Sequence, residues 1–362
     1  MQSAWEGLDP AQVWDAHAHL LGIGDSASGI SLNPRMQSLA SPENYVRQLF
    51  FLNGACAYSN DGNVDGAYVR RLMGALDGMR RGSKLLLFAF ERAYGEDGKR
   101  DDERTNFYVP DAYAREVARE HPRYFEWVAA IHPYRADCVA ALEQAKKDGA
   151  RAVKWIPPAM GMDPASARCD RFYEAAARLR MPIISHAGQE RAVLGERQDF
   201  ANPLRLRRAL DAGVRIVVAH CASMGRDVDL DKGPNGPVVD SFVLFARLFD
   251  EKRYEKHLFA DLSAMTQINR AAPALARVIE RTDWHARLLN GSDYPLPGIM
   301  PLFSVDYLVS LGLVVESAAP VLKEIRSYNP LLFDFVLKRQ LRSGGKALSK
   351  SVFETRAFFE VL

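Results

Sequence analysis

Two imidazoles two residues apart, His17 and His19, stand in the stretch Val13-Trp14-Asp15-Ala16-His17-Ala18-His19, at the end of an apolar segment. In an extended strand residues i and i+2 point to one face, so both rings could reach one metal ion. Such a pair is a weak signal by itself. It gains weight from four further residues that each close a short apolar run: Lys154 in Val153-Lys154-Trp155, His186 after Pro182-Ile183-Ile184-Ser185, His220 after Ile216-Val217-Val218-Ala219, and Asp293 in Gly291-Ser292-Asp293-Tyr294-Pro295. Imidazoles and a carboxylate suit a catalytic Zn²⁺ that keeps a coordination position for water, and Mn²⁺ or Fe²⁺ would accept the same donors. A carboxylate among them can also take a proton from that water and return it to a leaving group.

These residues are far apart in the chain, so something must bring them together. Short runs rich in β-branched and aromatic residues read as strands at 13–19, 84–91, 125–132, 150–156, 182–186, 214–220, 258–263 and 287–291. Between them, segments of helical periodicity lie at 64–81, 111–120, 135–148, 171–179, 203–212, 241–251 and 270–281. From Lys154 onward the strand ends recur at intervals of about 30 to 40 residues, the length of a βαβ repeat. Eight strands alternating with helices imply an α/β fold, a (β/α)₈ TIM barrel whose strand C-termini converge on one rim. The barrel core is expected over about 12–300 within one domain of 1–362, with additional C-terminal helices over about 301–362, among them 330–339. Residues 24–62, rich in Ser, Asn and Gly around a short helix near 42–52, read as an insertion after the first strand, and 92–106 as a second; both would emerge at the active rim.

Composition supports a globular enzyme and argues against other classes. Of 362 residues 48% are hydrophobic and 25% charged, and the formal net charge is +2 with both signs interleaved. That gives no electrostatic case for nucleic acid or a membrane surface. No apolar run reaches the ~20 residues of a membrane helix and the start does not resemble a signal peptide, so a cytoplasmic location is expected. Cys56, Cys138, Cys169 and Cys221 are scattered and read as reduced thiols, Cys221 packing beside the site. The implied partner is a small-molecule substrate, and the apolar run 353–362 should pack against the barrel or a second subunit, as in a homodimer.

Taken together, Asp15-Ala16-His17-Ala18-His19, Val153-Lys154-Trp155-Ile156-Pro157-Pro158, Ser185-His186-Ala187-Gly188, Ala219-His220-Cys221 and Gly291-Ser292-Asp293-Tyr294-Pro295 resemble the amidohydrolase superfamily, and within it the branch containing the aminocarboxymuconate-semialdehyde decarboxylase type. The resemblance runs from Trp14 to about Phe333. It implies that His17, His19, His186 and Asp293 hold one divalent metal ion, that His220 beside it polarises a substrate carbonyl or stabilises an oxyanion, and that Asp293 also shuttles the proton. In some relatives a lysine in the position of Lys154 is carboxylated and bridges two metals, with His186 and His220 serving the second; the Val-Lys-x-x-Pro-Pro context favours a single metal and a Lys154 that binds a substrate anion. The expected activity is metal-dependent hydrolysis of a small amide, ester or lactone; the alternative is a metal-dependent decarboxylase, a lyase acting on an unsaturated or aromatic acid.

Other residues carry weaker expectations. Arg92, beside Glu91 at the end of the second strand, is a candidate for a substrate carboxylate, and Arg35 and Arg47 are weaker ones. His132 reads as a strand-to-turn residue, and His121, His257 and His285 as surface residues.

Overall fold

The computed structural model describes residues 2–39, 41–57, 62–189, 193 and 195–360. All eight expected strands are present: β1 (Trp14–His19), β2 (Lys84–Phe88), β3 (Phe125–Val128), β4 (Val153–Trp155), β5 (Ile183–His186), β6 (Ile216–Ala219), β7 (Leu258–Asp261) and β8 (Leu288–Leu289). Every neighbouring pair is parallel, in the order β1-β2-β3 and β4-β5-β6-β7-β8. Two isolated parallel bridges, Ala129 to Val153 and Ala18 to Tyr294, join these sheets into a closed ring. Backbone bonds from Ala16 N to Asn290 O (2.9 Å) and from Asp293 N to His17 O (2.8 Å) seal β1 to β8. Closure pairs both edges of the barrel sheet and buries its strands on both faces, which is why Ile183-Ile184 and Ile216-Val217-Val218-Ala219 read as apolar runs rather than alternating ones.

The core has two parts. Trp14, Ala16, Leu86, Phe88, Val128, Ile184, Val217 and Leu289 fill the barrel interior, and Phe359 of the C-terminal turn packs against them with Phe358, as the apolar tail suggested. A second, larger cluster lies between the strands and the surrounding helices. The parity of β1 changes midway. Trp14 and Ala16 belong to the interior, yet Ala18 belongs to the outer cluster. Pairing shows the cause: Asp15 is opposite Leu85 while Ala18 is opposite Leu87, so one extra residue bulges out of β1 between them. A bulge re-aims every side chain after it. It turns His17 and His19 toward the axis.

Helices α1 (Pro42–Ala55), α2 (Val64–Asp77), α3 (Asp111–Glu120), α4 (Cys138–Lys147), α5 (Asp170–Arg178), α6 (Arg207–Asp211), α7 (Ser241–Phe249) and α8 (Ala274–Glu280) follow the expected order, and α9 (Val305–Ser310), α10 (Ala319–Tyr328) and α11 (Pro330–Gln340) form the C-terminal addition. The helix expected over 203–212 divides into a 3₁₀ turn, Pro203–Leu206, and α6. The one expected from 270 starts at Ala274, and residues 270–273, with a proline at 273, stay outside it. Among the described residues no helix is long and apolar enough to cross a membrane.

The insertion after β1 is tied down by one buried carboxylate. Asp65 on α2 accepts hydrogen bonds from Ile23 N, Gly24 N, Ser26 Oγ and Ser28 Oγ at 2.6 to 3.1 Å. Further along, Ser31–Leu32 pairs antiparallel with Phe107–Tyr108, linking both insertions over the rim.

Candidate metal centre and active site

Strand ends deliver the chemistry to one place. His17 is fully buried, and its Nδ1 lies 2.8 Å from Asp261 Oδ2 at the end of β7. An ionised carboxylate only accepts, so Nδ1 carries the proton and Nε2 presents its lone pair inward. Asp261 also accepts from the backbone N–H groups of His220 and Ser263, both at 3.0 Å. Burial would raise its pKa, but the His17 imidazole and these hydrogen bonds hold it well below the usual carboxylate range.

Asp293, after β8, stands opposite. Its Oδ1 lies 2.9 Å from His19 Nε2 and 3.4 Å from His17 Nε2, and its Oδ2 lies 3.8 Å from His220 Nδ1. Burial works against ionisation here too, and the surrounding imidazoles, His17 and His220 foremost, overcome it and keep the carboxylate charged. One donor atom from each of His17, His19 and Asp293 falls within 4.8 Å of the others, and His17, His220 and Asp261 form a second such group. His19 also buries its Nδ1, which has no hydrogen-bond partner among the described residues. Two imidazoles and a carboxylate converging at one point are a donor set that fits a divalent cation.

His220 differs in its wiring. Its Nδ1 is 2.9 Å from the carbonyl oxygen of Ser263 and 2.8 Å from Ser263 Oγ. A carbonyl can only accept, so Nδ1 is the protonated nitrogen and Nε2 a lone pair. Burial, reinforced by the nearby Arg270 charge, lowers its pKa well below that of free histidine. Nε2 is therefore the acceptor nitrogen of His220. That wiring suits a base or a ligand better than the oxyanion donor expected from sequence. His17 is likewise pushed down to about 4 by burial and then by Lys154.

The remaining residues fall as follows. Lys154 is buried with Nζ 3.3 Å from His17 Nε2, at the heart of the site. His186 lines the same chamber with its ring centroid 5.3 Å from that of His220, while its Nε2 faces Gly188 O at 3.2 Å; it joins neither donor group among the described residues. Arg92 is not in the chamber: its guanidinium stacks 3.3 Å from the Tyr108 ring centroid and lies 3.7 Å from Asp102. Arg35 is exposed and pairs with Glu103, and the side chain of Arg47 lies outside the described residues. His132 is structural as read: buried, with Nε2 on Met160 O and Nδ1 accepting from Tyr134 N. His285 is a correction. It is buried rather than on the surface, with Nε2 bonded to Val278 O and Nδ1 accepting from Ser349 N, because the C-terminal segment covers it. His121 and His257 are half-buried. Cys221 is fully buried and its thiol pushed well up by burial, which makes it inert packing.

Sequence reasoning missed Asp261, Ser263 and Arg270. Asp261 left a trace, since it closes Leu258-Phe259-Ala260-Asp261 in the manner of the chosen residues. Unforeseeable was the backbone: His220, Cys221, Ala222 and Asp293 all have φ between 48° and 60°, a region non-glycine residues seldom occupy and which concentrates at functional sites. Gly291 has the converse role. A Cβ there would lie 2.6 Å from His17 Cβ, so only glycine lets the β8 loop approach β1 closely enough to bring Asp293 to the histidines.

The family model for amidohydrolases matches residues 14–299, a span that holds every residue of the cluster. The chain belongs to the amidohydrolase family. It is an enzyme of the amidohydrolase superfamily, and metal dependence follows from the family together with the His/Asp cluster. Among solved structures, a TIM-barrel protein from Bordetella bronchiseptica is similar at 16% identity and a TM-score of 0.52, over 87% of this chain and 99% of that one, which supports the barrel fold. A probable 2-pyrone-4,6-dicarboxylic acid hydrolase from Acinetobacter baumannii matches at 14% identity over 94% and 99% with a TM-score of 0.46. The 4-oxalomesaconate hydratase of Rhodopseudomonas palustris matches at 12% over 95% and 97% with a TM-score of 0.44. No curated protein matches the chain.

Proposed function

We propose that this amidohydrolase is a mononuclear metal-dependent hydrolase of a small-molecule ester, lactone or amide, with His17, His19, His186 and Asp293 holding one divalent ion, Zn²⁺ first among the candidates. The observation that carries the reading is the convergence of His17 Nε2 and His19 Nε2 on a single oxygen of Asp293. A bound divalent ion lowers the pKa of water toward ~7 and polarises a carbonyl. The protein's own groups do the rest. Asp261 fixes the tautomer of His17 so that its lone pair faces inward. Asp293, ionised and facing His220, accepts the proton of the attacking water and returns it to the leaving group. His220 Nε2 is the second acceptor within the site, and Lys154 Nζ is placed to hold an anionic group of the substrate.

Metal analysis of the purified protein joined to a screen of esters, lactones, amides and aromatic acids tests this. About one divalent ion per chain and turnover of a hydrolysable carbonyl compound are expected. Two ions per chain with a carboxylated Lys154 would defeat the mononuclear site, and release of CO₂ from the aromatic acids, with no hydrolysis, would defeat the hydrolase.

A further inference from the structure

The chamber above the donor cluster is about 400 Å³, within the usual range for a small-molecule site. Its chemistry is divided. The charged and imidazole groups gather at the floor: Lys154 is 3.3 Å from His17, and Arg270 acts electrostatically on His220. Among the remaining lining residues apolar side chains predominate, beside the amides of Gln48, Asn106, Gln267 and Asn269. Leu32 and Phe107 come from the paired ribbon that joins the two insertions, Phe90 from the segment after β2, and Leu296, Ile299 and Leu302 from the segment after Asp293. An aromatic line runs outward from the centre, with the His19 and Phe90 ring centroids 4.9 Å apart and Phe90 and Phe107 5.0 Å apart, the latter pair edge to face. The mouth is apolar as well: Val46 and Phe50 line it while 45% and 44% exposed. Exposed apolar residues around a cleft mark a surface that meets an apolar ligand.

We propose, on the basis of the hydrolase reading above, that the substrate is amphipathic: its reacting carbonyl lies at the His17, His19 and Asp293 floor, and an uncharged, ring-bearing body lies along Phe90 and Phe107 beneath Leu302. A carboxylate on that body would be carried out of water against leucine, isoleucine and phenylalanine, away from Lys154 and Arg270, the two cations among the described lining residues, and burying an unpaired charge is costly. Aromatic rings on such a wall gain both area and edge-to-face contact.

The test uses ketones, which present the carbonyl and cannot be hydrolysed, so binding is separated from reaction. Calorimetry on the metal-loaded protein with 2-butanone, 4-phenyl-2-butanone and 4-(3-oxobutyl)benzoate, whose ring carries the carboxylate along the wall and away from Lys154, should show the phenyl ketone binding roughly 10- to 100-fold tighter than butanone. The ring-borne carboxylate should cancel that gain, so that the keto acid binds no tighter than butanone. Phe107→Ala, a half-buried ribbon residue outside the donor cluster, should weaken the phenyl ketone between about two- and tenfold and leave butanone unchanged. Equal binding of the two ketones, tighter binding of the keto acid, or an unaltered phenyl ketone affinity in the variant would overturn the inference. Ethyl acetate and ethyl 3-phenylpropionate are then compared as substrates. Ring preference in the ketones with no hydrolysis of these esters or of the lactones and amides screened above would sink the hydrolase reading and leave the apolar chamber standing; hydrolysis of both esters at equal kcat/KM would do the reverse.

Discussion

His132 should make the stability of this protein depend on pH in a way that can be isolated. The ring is fully buried, donates from Nε2 to Met160 O at 3.0 Å and accepts from Tyr134 N at 3.1 Å. Both nitrogens are satisfied only in the neutral form. A second proton would point Nδ1–H at the Tyr134 N–H and place a charge in the core. Burial accordingly depresses its pKa from 6.5 to about 3. Because the folded value lies below the unfolded one, the unfolded chain binds more protons and stability rises with pH; the contribution is fully present above about 6.5 and is lost as pH falls toward 3. At pH 5 the unfolded ring is almost wholly protonated and the folded one almost wholly neutral, which amounts to ~2 kcal/mol lost relative to pH 7.5. That figure barely changes if the folded pKa moves by a unit, since pH 5 stays above it. Urea unfolding of the wild type and of His132→Asn, which keeps an acceptor for Tyr134 N–H but does not titrate, should be run at both pH values. The variant is expected to be less stable at pH 7.5, yet its stability should fall by ~2 kcal/mol less between the two values. His17 and His220 titrate equally in both proteins and cancel. Equal falls in the two would refute the assignment of a buried neutral imidazole to position 132.

Asp293→Asn preserves shape but cannot take a proton, so the variant should keep most of its metal, measured by atomic absorption, while turnover drops by on the order of 10²-fold or more; a rate within a few-fold of the original would move the base to His220. His220→Ala, by contrast, should hold metal near the normal level and lose turnover, whereas metal loss equal to that of His17→Ala would make His220 a ligand. Lys338 and Asp334 on α11 form an ion pair at 2.6 Å with both side chains 1% exposed, and Lys338 Nζ also donates to Gly291 O. Lys338→Met alone should destabilise by about 3–5 kcal/mol by stranding a carboxylate, and Asp334→Leu added to it should recover most of that in thermal unfolding; no recovery would mean that the bond to Gly291, not the charge pair, sets the stability.

Much of this protein was legible without coordinates. The alternation of β-branched runs with helical segments dictated a parallel barrel, since strands buried on both faces must be apolar throughout, and a polar residue closing such a run marks its rim end. His17, His19, Lys154, His220 and Asp293 were found on that rule, and they do meet. What the linear pattern could not carry is direction. Counted at period two from Trp14 and Ala16, His17 and His19 would face the helices; a single bulged residue in β1 turns them to the axis, and a bulge follows from how β1 registers on β2, a contact with residues some seventy positions away. Asp261 was visible as a strand end but its task was not, because the tautomer of His17 depends on which carboxylate lies across the barrel. Arg92 had the right type and place in sequence and was taken by Tyr108 instead, and His285, read as surface, was covered by residues from the far end of the chain. Residue type and local period are properties of short segments and survive in the sequence; hydrogen-bond partners, the sense in which a side chain points and the apolar lining of a chamber arise only when distant segments are brought together, and those decide what the site can bind.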